Sequence, residues 1–505
     1  MKSLFIFLIL IQSGLLFSQS DTVFHKVFYE NNLNMRAKAC ATTLEDGLII
    51  SGNLDQNGYL LKIDSAGTIL WNRKVENQSE IKKVLKTSDS SFLLVGNQFN
   101  LATQKNDLLV AKFNNDGLEL WSRTYNLTLP LSFDGKSAIE DNNRDYLICG
   151  SITPNSKSFL CKISKDGDLL FSRTFNVGNV SSANGITIDP NGSDSSIFVT
   201  GVYSEVAGSN NSYLGRFDND GYPVSVSGIQ YVELFDILFL NSKLYFLGVH
   251  SSYVTQLCTT LDGQVIWMRD YFTFSNYLDD KMHLHQTSEN NLISIAGDQY
   301  FNTRAMETDA TGNIIYFKNV MMDGVDIIET QKSGYFIVGY GPLFGVKILQ
   351  SDHVGVIRMD NSFGPDIDCL YQQNTTTNVF SPNQESPTLT VIDGILATNN
   401  PTTFVSENIL DFVGCVEMLG KIDEFEVASI EVFPIPANEF VRFVQEDNLS
   451  FTIRITDITG RLIFTSQKVY GETTVDTSYF PQGSYTYSII FENNQIKKGN
   501  ITVVH

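Results

Sequence analysis

Cysteine is scarce in this chain: there are six in 505 residues, and no Cys-x-x-Cys pair among them. That usage excludes a disulfide scaffold and a thiolate zinc site. Positive charge is also short, since 35 Lys and Arg face 56 Asp and Glu and leave a formal net charge of −21. A surface of that sign repels phosphate backbones, so nucleic acid is not expected as a partner. Long apolar runs are confined to the start, where Leu4-Phe5-Ile6-Phe7-Leu8-Ile9-Leu10-Ile11 follows Met1-Lys2 and precedes Ser13-Gly14. This is the layout of a secretory signal peptide, residues 1–19, with cleavage near Ser18–Ser20. No other stretch approaches the ~20 apolar residues of a membrane span, so no integral membrane segment is expected. Gly-x-Ser-x-Gly, His-Glu-x-x-His and phosphate-loop signatures are absent, and no catalytic, cofactor-binding or metal-binding residue is assigned. What the chain does have is 42% hydrophobic residues, with 35 Phe and 21 Tyr, enough for a large packed core.

The same phrase recurs along it. Leu61-Lys62-Ile63-Asp64-Ser65-Ala66-Gly67-Thr68-Ile69-Leu70-Trp71-Asn72-Arg73 returns near 110–123 and again near 160–173. The turn glycine of the phrase is Gly67, Gly117, Gly167, Gly221, Gly263, Gly312 and, weakly, Gly364, at steps of 42–54 residues. A second glycine closes an apolar run upstream in each copy: Gly52, Gly96, Gly150, Gly201, Gly248, Gly297 and Gly339. Both markers count seven copies. Self-similarity at such a period is the mark of a repeat architecture.

Each copy reads as four strands. Ile81-Lys82-Lys83-Val84-Leu85-Lys86 and the run Phe92-Leu93-Leu94-Val95 are the first two, and Leu108–Phe113 is the third. Asn114-Asn115-Asp116-Gly117 is a hairpin turn, and Leu118–Tyr125 alternates like a half-exposed outer strand. The expected fold is therefore all-β: a seven-bladed β-propeller of four-stranded blades over residues 20–366. Phe24-His25-Lys26-Val27-Phe28-Tyr29 resembles the outer strand Trp71-Asn72-Arg73-Lys74-Val75, with no inner strands before it. The last copy lacks an outer strand after Gly364, so the N-terminal strand is expected to complete it and close the ring.

All three tryptophans occupy one slot, four residues past the turn glycine: Trp71, Trp121 and Trp267, with Phe171 and Tyr316 as equivalents. These rings are read as packing between neighbouring blades. Two residues on stand Arg73, Arg123, Arg173, Arg269 and Lys318, read as a solvated face or as holding turns; the fourth copy departs with Ser225 and Ser227. His283 and His285 share one strand face, but with no third ligand they are read as a packed or surface pair. Asp64, Asp218 and Asp309 are read as caps of their own turns, since a calcium loop needs further oxygen ligands. Cys149 and Cys161, on successive strands, are placed to face each other, while Cys40 and Cys258 are read as buried free thiols.

Beyond the repeats, residues 367–427 turn polar and turn-rich, with Thr388-Leu389-Thr390-Val391-Ile392 alternating like a strand. They are read as a connector, with room for a small β-fold of its own. Cys369 and Cys415 flank this stretch; export permits a disulfide between them and equally allows both to stay free. Residues 428–505 hold alternating strands separated by glycine turns, as in a small β-sandwich.

That last stretch carries Val432-Phe433-Pro434-Ile435-Pro436-Ala437, Gly460-Arg461-Leu462, Gly483-Ser484-Tyr485 and the lysine-flanked final strand at Lys497-Lys498. In these phrases it resembles the type A C-terminal sorting domain of the Bacteroidetes type IX secretion system, with Ile435 standing where asparagine is usual. The resemblance implies that Pro434, Pro436, Ala437, Gly460, Gly483, Tyr485, Lys497 and Lys498 form the sorting motif. It also implies that the partner is the type IX machinery and that the protein reaches the cell surface or medium by way of the periplasm. The regular repeats, without a convergent catalytic set, are read as a monomeric, non-catalytic binding module for an extracellular protein or glycan. The competing reading is an extracellular polysaccharide hydrolase or lyase with its site at the propeller channel.

Overall fold

The structure is a computed structural model that describes residues 24–359, 370–413 and 430–504, apart from 342–351 and shorter stretches within them. The chain divides into two compact units, residues 1–416 and 417–505. The described residues contain strands and turns and no helix.

The first unit is a seven-bladed propeller. Six blades are continuous, covering residues 35–75, 79–126, 132–177, 180–230, 232–273 and 277–320, each as four antiparallel strands. The seventh consists of Asp323–Glu329, Tyr335–Gly341 and His353–Met359, completed by the N-terminal strand Phe24–Tyr29. The first strand of each blade touches the first strand of the next, and the seventh returns to the first, so seven inner strands surround a central channel. The aromatic and aliphatic residues of the second and third strands fill the spaces between blades with fully buried side chains such as Tyr59, Tyr146, Phe159 and Tyr213.

Both glycine markers have physical causes. In the described copies the turn glycine adopts positive φ, for example +76° at Gly117. The ring of the preceding blade's aromatic lies directly on it: a Cβ on Gly117 would stand 2.6 Å from Trp71. The upstream glycine stands opposite a β-bulge in the inner strand, where a Cβ on Gly52 would collide with the carbonyl of Arg36. The bulge recurs at Ala37/Ala39, Ile81/Lys83, Gly135/Ser137, Ala183/Gly185, Leu234/Asp236 and Gly324/Asp326.

The aromatic and basic slots clamp one blade to the next. Trp71 Nε1 donates to Asn115 O (3.1 Å) and Arg73 Nε to Gly117 O (2.9 Å). Trp121 Nε1 likewise donates to Lys165 O (3.0 Å), and Arg173 to Asp220 O (2.9 Å). Ser227, the departure in the fourth copy, still reaches the carbonyl of Asp262 at 3.5 Å. Phe24 and Lys26 play the same parts at the junction between blades 7 and 1: Phe24 packs on Gly67, and Lys26 Nζ donates to Gly67 O (3.1 Å). The turn caps are as expected, with Asp64 Oδ1 accepting the amides of Ala66 (2.9 Å) and Thr68 (2.8 Å). Asn114, Ser164 and Thr260 cap the equivalent turns with other side-chain oxygens.

Two expectations are corrected. Cys149 and Cys161 do not face each other: Cys161 pairs with Ile148 and Cys149 with Leu160, and alternation sends neighbouring registers to opposite faces. Both thiols are buried and free, as are Cys40 and Cys258. Residues 370–413 build no separate β-fold. Seven short strands add one each to the outer edge of the blades: Leu370–Tyr371 on the sixth, then Asn378–Phe380, Gln384–Glu385, Leu389–Asp393, Leu396–Thr398 and Phe404–Val405 on the fifth to the first. Leu410–Val413 ends the circuit on the N-terminal strand of the seventh. Each blade is thus the expected four-stranded sheet with a fifth strand contributed by one belt. Gly364, Cys369 and Cys415 lie outside the described residues.

The second unit is a two-sheet sandwich. Ile430–Phe433, Phe440–Gln445 and Glu472–Asp476 form one sheet. Leu462–Thr465, Phe451–Asp457, Gly483–Phe491 and Ile496–Val503 form the other. Val441, Phe443 and Val475 meet Ile453, Tyr487, Ile501 and Val503 in one core. The Phe443 and Tyr487 rings cross it edge to face at 5.3 Å.

Candidate functional site

The channel is the candidate site of the propeller. The bulge in each inner strand leaves one residue unpaired: Lys38, Lys82, Lys136, Asn184, Phe235 and Val325 in six of the blades. The first five of these line one cavity of about 160 Å³, bounded by inner strands of blades 1 to 6. Lys83, Glu80, Asp134, Asp236 and His283 also face it.

Most of the polar groups here link one blade to the next. Lys38 lies 3.9 Å from Glu80, and Lys82 lies 3.6 Å from Glu80 and donates to Asp134 Oδ1. Lys136 donates to Asn184 Oδ1 (3.0 Å), and Asn184 Nδ2 donates to Leu234 O (3.0 Å). Asp236 accepts the amide of Leu284 (3.0 Å) and lies 3.8 Å from His283 Nδ1. His285 Nε2 is 2.8 Å from Asp326, which also accepts the amide of Cys40 at 2.9 Å. All seven junctions are therefore bridged around the channel wall.

The electrostatics follow from this pairing. Burial pushes the Asp134 carboxyl up, but Lys82 and Lys136 outweigh it and hold the group below the ordinary carboxylate range. Burial likewise opposes ionisation of Asp326, and His283, His285 and Lys83 overcome it, so this carboxylate too is held low. Burial pushes the His283 imidazole below its usual value. A general acid needs a raised carboxyl pKa, and neither aspartate has one. His283 and His285 sit on one strand as expected but serve different aspartates, and no cluster of three metal-ligating residues occurs among the described residues. Sequence reading missed the channel lysines. Their signal was a shared offset: Lys38, Lys82 and Lys136 each stand 14 residues before a marker glycine.

In the sandwich, the phrase at 434–437 leaves the first sheet, touches the last strand of the second at Ala437 and leads back into the first at Phe440–Gln445. Pro434, Ile435 and Pro436 are exposed. Ala437 is fully buried: its amide donates to Thr502 O (2.7 Å) and its carbonyl accepts from Val504 N (2.9 Å). Tyr485 is buried against Phe480 and donates its hydroxyl to Pro481 O (2.6 Å), which fixes the turn before Gly483. Lys497 and Lys498 lie on the last strand, paired in register with Ile489 and Ser488. Gly460 lies outside the described residues.

Comparison with known proteins bears on this second unit first. Residues 431–502 match the family of secretion system C-terminal sorting domains. The chain therefore carries a type IX sorting domain, which marks it for export to the surface or medium. No curated protein matches the chain. Among solved structures, a proposed 6-phosphogluconolactonase of Bacteroides uniformis is similar at 11% identity and TM-score 0.41, over 73% of this chain and 99% of that one. A protein of unknown function from Bacteroides caccae is similar at 13% identity and TM-score 0.33, over 49% and 93%. A eukaryotic initiation factor is similar at 8% identity and TM-score 0.31, over 90% and 98%.

Proposed function

We propose that this protein crosses the inner membrane by its signal peptide, passes through the periplasm and is delivered by the type IX machinery. There its propeller acts as a non-catalytic binding module for an extracellular protein or glycan. The observation that supports the binding reading is the use of the channel groups. Asp134 and Asp326 are held ionised by contacts that join blades, so neither carboxyl is poised to donate a proton. The competing reading, a polysaccharide hydrolase or lyase, draws its support from the charged rather than apolar lining of the channel. A screen of the purified protein against glycans and envelope proteins is expected to return a ligand and no products. Reproducible polymer turnover that is abolished by Asp134→Asn or Asp236→Asn would replace binding with catalysis.

A further inference from the structure

We propose that the channel cavity is an anion site that takes the oxyanion of a molecule no larger than one acidic sugar. The idea rests on the reading of the propeller as a binding module and names what it would bind. The chain as a whole carries a net charge of −21. Its channel cavity has the opposite balance, with Lys38, Lys82, Lys83 and Lys136 against Glu80, Asp134 and Asp236. All four lysines owe their inward position to the bulge or its flank: Lys38, Lys82 and Lys136 are bulged residues, and Lys83 follows the bulged Lys82. An acidic exterior with a basic interior concentrates a small anion at the channel rather than on the surface.

Two polar groups beside this cavity are left unpaired by the links between blades. Among the described residues, no hydrogen bond or ion pair engages the Lys83 ammonium, which is half-buried. His283 Nε2 is buried and has no hydrogen-bond partner among the described residues. An oxyanion in the cavity would give the Lys83 ammonium a charge-assisted partner, with the His283 ring standing on the same wall. Size limits the ligand. About 160 Å³ is close to the volume that admits one benzene-sized ring. Phe235 and Met282 supply an apolar wall beside the charges, the combination that holds the face of a ring while polar groups orient it.

The test is a calorimetric or NMR titration of the full chain with glucuronate, inorganic phosphate and glucose. Glucuronate is expected to bind one to one, with affinity that falls as salt rises; phosphate should bind more weakly, and glucose should not bind. Lys83→Met and His283→Gln should each weaken glucuronate at least tenfold with an unchanged melting profile, and Lys83→Arg should retain binding. Two variants keep the test open if either one unfolds. Phosphate binding as tightly as glucuronate would leave an anion site but remove the sugar. Absence of any anion binding, or binding unaffected by Lys83→Met, would overturn the site. Turnover of a glucuronate polymer would instead overturn the non-catalytic reading and leave the anion site standing.

Discussion

His25 is a neutral imidazole in the strand that closes the ring. It is fully buried, and burial pushes its pKa down to about 4. His283 and His353 are lowered for the same reason. The unfolded chain therefore binds more protons than the folded one once pH drops below the ordinary histidine value near 6.5. Stability should be full at pH 7 and fall as pH drops through 6.5 toward 4, with His25 alone contributing on the order of 2 kcal/mol of loss at pH 5. Thermal melts at pH 7 and pH 5 should show this fall, and His25→Leu should shrink the difference between them. A melting temperature independent of pH over that window would show that these imidazoles are solvated. The cysteines follow the same logic. Burial raises the Cys149 and Cys161 thiols far above their usual value and Cys258 to about 11, so none should react with an alkylating reagent until the protein unfolds.

At the level of the strand and turn, the repeat phrase encodes a junction rather than a blade. The tryptophan of one blade covers the glycine of the next, and the arginine two residues on binds that turn's carbonyl. Gly117→Ala would combine positive φ with a clash against Trp71. It should cost roughly 2 kcal/mol or more. Denaturation followed by tryptophan fluorescence reads this directly, because all three tryptophans report on such junctions. A loss within a few tenths of a kcal/mol would mean that the turn shifts freely. This arrangement explains what was legible in sequence. Blade number and turn caps rest on residues at fixed offsets from a glycine, and the role of Phe24–Tyr29 rests on its likeness to the outer strand at 71–75. The channel was not legible, because a bulge adds a residue without changing the hydrophobic pattern, and only the bulge aims Lys38, Lys82 and Lys136 inward. The belt was hidden for a different reason. Strands of two to five residues carry no period of their own, and their partners lie far away in the chain, as with Leu389–Asp393 on the third blade.

For the whole molecule, the belt changes where the chain can be cut. Sequence alone places the end of the propeller at residue 366, with a connector after it. In the structure, strands from 370 to 413 pair with the outer edge of every blade, and the compact unit runs to residue 416. Removing the belt would expose seven outer edges at once, each a row of unpaired amides and carbonyls open to another chain. It would also strip the N-terminal strand of its outer partner, Leu410–Val413, where the ring closes. A chain ending at 416 should therefore melt as the propeller of the full protein does, and it should stay inside the cell for want of its sorting domain. A chain ending at 366 should melt lower and associate at concentrations where the longer one remains dispersed. Parallel melts and light scattering of the two truncations measure both effects. Equal stability and equal dispersity would show that the belt merely rests on a ring already complete without it, whereas a clear gap would make residues 370–413 part of the propeller's own fold.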